Sequence, residues 1–295
     1  MTVTAMSTPA SSSTAGPDVF LMGVSKAAST WIYRCLQEHP GVFVPKSDSL
    51  HFFDLGYHEG LPSYEAHFAG AAHGQLKVDP SPTYLRSPVA AQRIARHYPD
   101  ARFVLSLRNP VERAFSQYWH EKRKGRFDYT FDQVIEHFLM FPWIVEHGFY
   151  ATHLENLWRH FPRDRVTIVL YDDLVAEPRR FLGQVLSGLG LPGDFEPRVL
   201  DKRVNEAGAN ETQSMRAVRD LRGSTWLRPV RKAIKSIVGR KNLLRELGKT
   251  VSNRDEYDQG MSEAARARLK QIYAEEIEAL TRMTGLDLAR WREGA

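Results

Sequence analysis

The sequence predicts an α/β protein, a single domain built on a mostly parallel sheet flanked by helices. Two observations carry this. Short apolar runs alternate with amphipathic helical patterns, with no internal repeat, and turn-forming residues follow the strand-like runs. At 295 residues, with 42% hydrophobic and 11% aromatic content, the chain is long enough to bury one large core.

In chain order, residues 1–17 are rich in Ser, Thr, Ala and Pro and lack both a basic and an apolar stretch, so they read as a disordered tail and not a signal peptide. The domain then covers 18–295. Val19 to Val24 reads as a strand, followed by a polar turn and a helix over Thr30 to Glu38 that His39, Pro40 and Gly41 stop. Further strands are expected at Val42 to Val44, Gln75 to Val78, Arg102 to Leu107 and Val166 to Tyr171. Helices are expected over Val89 to His97, Pro110 to Lys122, Tyr150 to His160, Pro178 to Leu189 and Glu263 to Thr284. Pro80 and Pro82 make the chain beyond the Gln75 strand an extended loop, at the end of a parallel sheet where ligands bind.

Composition narrows the classes. Net charge is +5 at pI 9.2, a mild excess that does not call for nucleic acid. It is concentrated between Glu211 and Thr250, where 11 Lys and Arg face 3 Asp and Glu, inside a basic helical and loop segment, 201–253, read as a lid over one end of the sheet. Apolar residues interleave there, so a membrane surface or an anionic acceptor is the alternative to a solvated face. No run approaches the roughly 18 apolar residues of a spanning helix, and the reading is a cytoplasmic protein. One cysteine, Cys35, excludes an internal disulfide and a cysteine metal site, and no other metal-binding pattern is present.

Two stretches carry chemistry. Gly23 to Thr30 joins the first strand to the first helix. Backbone N–H groups and the helix dipole converge there on one point, which suits a phosphate, and Lys26, Ser29 and Thr30 add donors. It is not a Walker A sequence, because Lys26 precedes the turn and no Gly follows it; the alternative is an ordinary turn with a solvated lysine. In the second, Arg108 ends a strand and Ser116 follows in the next helix, a guanidinium fork and a hydroxyl that can close on one phosphate. Here the alternative is surface pairing of Arg108 and Arg113 with Glu112 or Glu121.

Taken together, these stretches resemble the sulfotransferases that use 3′-phosphoadenosine-5′-phosphosulfate (PAPS): the first is similar to their 5′-phosphosulfate loop, the second to their 3′-phosphate motif. His51-Phe52-Phe53-Asp54, Asp79 to Tyr84, Gly148 to Leu157 and Asp287 to Trp291 resemble segments of the heparan sulfate glucosaminyl sulfotransferases and their bacterial relatives. The resemblance spans about Val19 to Trp291. It implies a P-loop-like sulfotransferase fold with a C-terminal helical lid and transfer of a sulfuryl group from PAPS to a hydroxyl or amine of a small-molecule, lipid or sugar acceptor, without a metal. It further implies that backbone N–H groups of Ala27, Ala28, Ser29 and Thr30 hold the 5′-phosphosulfate, and that Lys26 donates to the bridging oxygen. Arg108 and Ser116 would hold the 3′-phosphate, and Lys202 and Arg203 would lie in a loop over the nucleotide.

Three departures bear on function. Ser49 stands where the relatives carry the glutamate that takes the acceptor's proton, and a serine hydroxyl cannot accept a proton at neutral pH without a base of its own. His51, oriented by Asp54 or Asp79, is the expected base, with Asp48 and Asp79 as the other candidates; the alternative for His51 is a structural role beside Phe52 and Phe53. Ala28 replaces a usual Gly, which the loop tolerates only at negative φ. Pro80 stands where glycosaminoglycan-modifying relatives carry a lysine, which argues against a heparan-type polyanion. The competing readings are a P-loop-type nucleoside or sugar kinase and a nucleotide-binding protein without catalysis.

Overall fold

The computed structural model describes residues 15–124, 128–200 and 260–293 of the protein. Five parallel strands form one sheet: β1 (Val19–Gly23), β2 (Val42–Phe43), β3 (Leu76–Asp79), β4 (Arg102–Leu107) and β5 (Val166–Leu170), in the order β2-β3-β1-β4-β5. β1 is central and buried on both faces, as a parallel sheet covered on two sides requires.

Alternate side chains feed two cores. Val19, Leu21 and Val104 meet α1 (Ser29–Glu38) on one face. Phe20, Met22, Phe103 and Leu105 meet the helices of the other. These are the short α2 (Leu61–Glu65), α3 (Pro88–His97), α4 (Pro110–Arg123), the short α5 (Phe131–Glu136) and α6 (Pro142–Val145), and α7 (Tyr150–Trp158). After β5 come α8 (Tyr171–Ala176) and α9 (Pro178–Leu189), with α9 packing on the α1 face. The long α10 (Glu263–Thr284) and α11 (Ala289–Glu293) end the described chain. Ser262 caps the start of α10 by accepting from Ala265 N–H at 3.1 Å, and Gly285, at φ 71°, ends it.

The chain leaves β1 toward β2 and β3 on one side, and from β3 it crosses to β4 on the other. The switch point therefore lies between the C-terminal ends of β1 and β4, where an open α/β sheet leaves a crevice for a ligand.

Residues 1–14 and the basic segment 201–253, with Lys202 and Arg203, fall outside the described residues. The end of the expected tail is described and differs from the expectation. Gly16 and Pro17 are buried, and a Cβ on Gly16 would collide with the Tyr98 phenol. Among the described residues no helix is long and apolar enough to cross a membrane.

Candidate active site

The β1–α1 loop is made by close backbone approach. Gly23 pairs with Ser106 of β4 at φ 138°, and a Cβ there would lie 2.4 Å from the Ser106 carbonyl oxygen, so only glycine fits. The Ser106 hydroxyl in turn donates to the Ala27 carbonyl, clamping the loop to β4. Ala27 is fully buried and its N–H donates to the Val24 carbonyl at 3.2 Å. The Ala27 N–H is thus engaged inside the turn. The N–H groups of Ala28, Ser29 and Thr30 begin α1, where helix geometry leaves them without an intrahelical acceptor, and no side chain caps them.

Ala28 sits at φ 70°, ψ 11°, the left-handed region. The expected negative φ is not what the loop adopts, and Ala28 holds a glycine-like conformation at a cost of about 1 kcal/mol. Lys26, at φ 78°, and His51, at φ 54°, are the other non-glycine residues with positive φ among the described residues. All three lie in loops at the C-terminal edge of the sheet, the strain distribution characteristic of a site held by its surroundings.

Arg108, one residue past β4, is fixed from three directions. Its Nη1 donates to the Lys26 carbonyl at 3.1 Å, its guanidinium lies 4.6 Å from the centroid of the Tyr171 ring, and its own carbonyl accepts from the Tyr150 hydroxyl at 2.7 Å. Trp291 packs against Tyr150 and donates to Asp172 at 3.1 Å, beside Tyr171. The Gly148 to Leu157 and Asp287 to Trp291 segments thus converge on one guanidinium. Arg108 has no carboxylate partner among the described residues, which leaves its charge for an anion.

The surface pairing considered for this stretch is not observed. Arg113 is fully buried and donates to the Ile144 carbonyl, while Glu112 pairs with Arg266 at 2.7 Å. Ser116 lies in the second turn of α4, partly buried, and makes no hydrogen bond among the described residues.

Burial lowers the Lys26 ammonium to about 8, and the positive charges of Arg123, Lys124 and Arg108 push in the same direction against Glu121. Like charges brought this close to a desolvated amine are unfavourable alone and favourable around a polyanion. With the uncapped N–H groups of α1, they fit a ligand carrying several phosphate or sulfate groups.

A second group of residues lies on the segment before the single-turn π-helix Phe52–Gly56. Phe52 and Phe53 are buried and pack on Tyr64, while the His51 side chain is 42% exposed, so its ring is outside the core. Ser49 Oγ lies 3.0 Å from His51 Nε2. On the opposite edge of the ring, Nδ1 lies 3.4 Å from Asp54 Oδ2 and 3.2 Å from Thr83 Oγ1, and Thr83 donates to the same Asp54 oxygen at 2.7 Å. Asp54, not Asp79, is the carboxylate beside the imidazole.

Asp79 ends β3 fully buried. Its carboxylate accepts from the Tyr64 hydroxyl at 2.6 Å and from Ser81, whose oxygen accepts from Leu50 N–H at 3.0 Å. Burial raises this carboxyl to about 6, against the lowering effect of its hydrogen bonds. Asp79, a candidate base in the sequence, instead supports the loop from beneath, with both oxygens occupied. Asp48 is exposed and makes no hydrogen bond among the described residues. It stands near Tyr33, whose phenol is pushed up by burial first and by the Asp48 charge second.

Sequence reasoning placed Thr83, Tyr150 and Tyr171 only inside longer segments, with no role assigned, and did not reach Arg123 or Lys124. Spacing could not have found them, since they approach Lys26, Arg108 and His51 only through the packing of distant elements. Among the described residues no group of three or more His, Cys, Asp or Glu is arranged to hold a metal ion.

The chain is similar to known proteins. A model of the sulfotransferase domain matches residues 16–280. The human heparan sulfate glucosamine 3-O-sulfotransferase 3B1 is 30% identical over 181 residues, 59% of this chain and 46% of that protein. The mouse 3-O-sulfotransferase 6 is 32% identical over 180 residues, 59% of this chain and 52% of that protein. The chain thus spans about half the length of these relatives. Among solved structures, a sulfotransferase from Alicyclobacillus acidocaldarius superposes with a TM-score of 0.68 at 22% identity, covering 94% of this chain and 98% of that one, which shows a common fold. On the match over residues 16–280, the chain belongs to the sulfotransferase domain family.

Proposed function

We propose that the protein transfers a sulfuryl group from PAPS to a hydroxyl or amine of a small-molecule, lipid or sugar acceptor by in-line displacement. The observation that carries this reading is the contact of Arg108 Nη1 with the Lys26 carbonyl at 3.1 Å, which joins two cationic loops across the switch point of the sheet. When bound, PAPS supplies the activated sulfuryl group. The chain's residues supply the rest. The N–H groups of Ala28, Ser29 and Thr30 hold the 5′ end of the nucleotide, and Arg108 with Ser116 takes the 3′-phosphate. Lys26 offsets the negative charge that grows on the leaving oxygen, and a positioned cation is the largest aid such a transfer can receive. Lys202 and Arg203 belong to the same proposal as residues of the covering loop.

His51 serves as the proton acceptor, with Asp54 beside Nδ1 to stabilise the imidazolium that forms. The relatives' names specify a glucosamine sugar, so a sugar acceptor is within the proposal. Pro80 in place of a lysine favours an uncharged acceptor over a sulfated polymer. Cytoplasmic residence is part of the same reading and rests on the composition of the chain.

The kinase alternative is weaker because β4 ends at Leu107 and is followed by Arg108, with no acidic residue there to hold magnesium. The experiment measures thermal shift with 3′-phosphoadenosine-5′-phosphate (PAP) and with ATP plus magnesium, then sulfate transfer from PAPS to a panel of sugars, phenols, alcohols and amines. Stabilisation by PAP alone, with transfer to a panel member, is expected. Stabilisation by ATP plus magnesium alone would return the kinase reading, and PAP binding without turnover would return the non-catalytic one.

A further inference from the structure

The residue that interrupts the family pattern, Ser49, is not idle in the structure. Its side chain makes one hydrogen bond among the described residues, to His51 Nε2 at 3.0 Å. Which atom carries the proton follows from the other edge of the ring. Thr83 donates its only hydroxyl proton to Asp54 Oδ2 at 2.7 Å, so toward His51 Nδ1, 3.2 Å away, Thr83 can only accept. Asp54 Oδ2, 3.4 Å from the same nitrogen, also accepts. Two acceptors facing Nδ1 place the imidazole proton there. Nε2 then holds a lone pair, and the Ser49 hydroxyl must be the donor to it.

From this network we infer that Ser49 is a proton relay, standing between the acceptor's hydroxyl and His51. The inference rests on the sulfotransferase reading and adds a residue to it. The Ser49 proton passes to His51 Nε2 as the acceptor's proton passes to Ser49 Oγ. The acceptor oxygen forms its bond to sulfur, and the bond from sulfur to the bridging oxygen breaks with its electron pair left on the 5′-phosphate of PAP. Ser49 ends as the neutral hydroxyl it began as. The proton rests on His51, whose imidazolium faces Asp54, and leaves to solvent across the exposed side of the ring.

The geometry assigns this task to Ser49 for two reasons. Oγ occupies Nε2, so an acceptor reaching His51 directly would first have to break that hydrogen bond. The hydroxyl also retains two lone pairs once its proton is given to Nε2, so it can receive a second proton without moving. His51 is held for this by φ 54°, a left-handed backbone that the packing of Phe52 and Phe53 maintains. Leu50 N–H, bonded to Ser81 at 3.0 Å, fixes the chain between Ser49 and His51 to the end of β3.

The test has two arms. In the first, the protein is labelled with 15N in its histidines, His51 is assigned by its loss in His51→Asn, and its tautomer is read at a pH where the ring is neutral. The relay predicts the Nδ1–H form, with the Nε2 signal moving when Ser49→Val removes the donor. An Nε2–H form would overturn the relay whatever the enzyme turns over. In the second, PAP release from PAPS is followed with a glucosamine sugar, phenol, octanol and water as acceptors. Ser49→Val, which has no hydroxyl, should lower kcat about a hundredfold while PAP affinity stays within about twofold. Ser49→Glu supplies a carboxylate at the same position. It should restore turnover, move the acid limb of the pH profile toward the carboxylate range, and make His51→Asn nearly silent in that background. Full kcat in Ser49→Val would contradict the relay. PAP binding with no turnover in any protein counts against the proposed activity, and the tautomer still decides the relay.

Discussion

Arg108 donates through Nη1 to the main-chain carbonyl of Lys26 at 3.1 Å, so the guanidinium after β4 and the ammonium after β1 are held in one unit. The contact uses the Lys26 backbone and leaves its side chain free to act. Tyr171 lies against the guanidinium and Tyr150 bonds the Arg108 carbonyl, so the fork is positioned before any ligand arrives. Preorganised charge of this kind stabilises a developing anion without reorganising as the reaction proceeds.

Lys26→Ala should lower kcat by about a hundredfold or more with a smaller effect on nucleotide affinity, because charge on the leaving oxygen grows only in the transition state. The same residue has a binding signature. Its ammonium, lowered to about 8 by burial and neighbouring cations, should rise when a polyanion enters. PAP binding at pH 8.5, measured by calorimetry in buffers of different ionisation heat, is therefore accompanied by proton uptake in the wild type and by none in Lys26→Ala.

His51→Asn keeps a polar side chain of similar reach but cannot take a proton. It should remove most turnover with PAP affinity unchanged, whereas Asp48→Asn should do little, since Asp48 is exposed and bonded to nothing among the described residues. Near-normal kcat in His51→Asn, with loss in Asp48→Asn, would move the base to that carboxylate.

Asp79 is predicted to act on stability and not on proton transfer. Its carboxyl is raised to about 6 in the fold from 3.8, so between those values the folded state binds more protons than the unfolded state. Stability from this group is therefore present below about pH 4 and is lost as pH rises through 6. The full effect is at most about 3 kcal/mol, since each tenfold gain in proton affinity on folding is worth about 1.4 kcal/mol. Urea unfolding at pH 4 and pH 7 should show the wild type losing stability relative to Asp79→Asn over that interval.

Ala28→Gly should stabilise the protein by about 0.5 to 1 kcal/mol, because relief of the left-handed strain outweighs the added freedom of the unfolded chain. Thermal unfolding of the two proteins measures it. A destabilised variant would mean that φ 70° is not strained at this position.

Much of the fold was legible in the sequence, where local signals and packing agree. β4, α9 and α10 have the bounds that the patterning predicts: β4 is an unbroken apolar run buried by its neighbours, and α10 starts at a serine cap and stops at a glycine. The turn of π-helix after His51 was not legible, since Phe52 and Phe53 adopt it to reach Tyr64 and the core. At the site, Lys26, Arg108 and His51 announced themselves by position at strand ends and in motifs. Asp79 misled because it opens a stretch that resembles a family segment while its burial depends on Tyr64, fifteen residues earlier. The left-handed Ala28 was hidden too, because the loop around it is held by a hydrogen bond from Ser106 on another strand.

The central claim is that the crevice between β1 and β4 is built for a nucleotide carrying phosphate at both the 3′ and the 5′ position, and titration calorimetry with PAP and with AMP tests it most directly. Wild-type protein should bind PAP far more tightly than AMP, and Arg108→Ala should erase about 1.5 to 3 kcal/mol of that preference while leaving AMP affinity nearly unchanged. Equal affinity of the wild type for PAP and AMP would contradict the account.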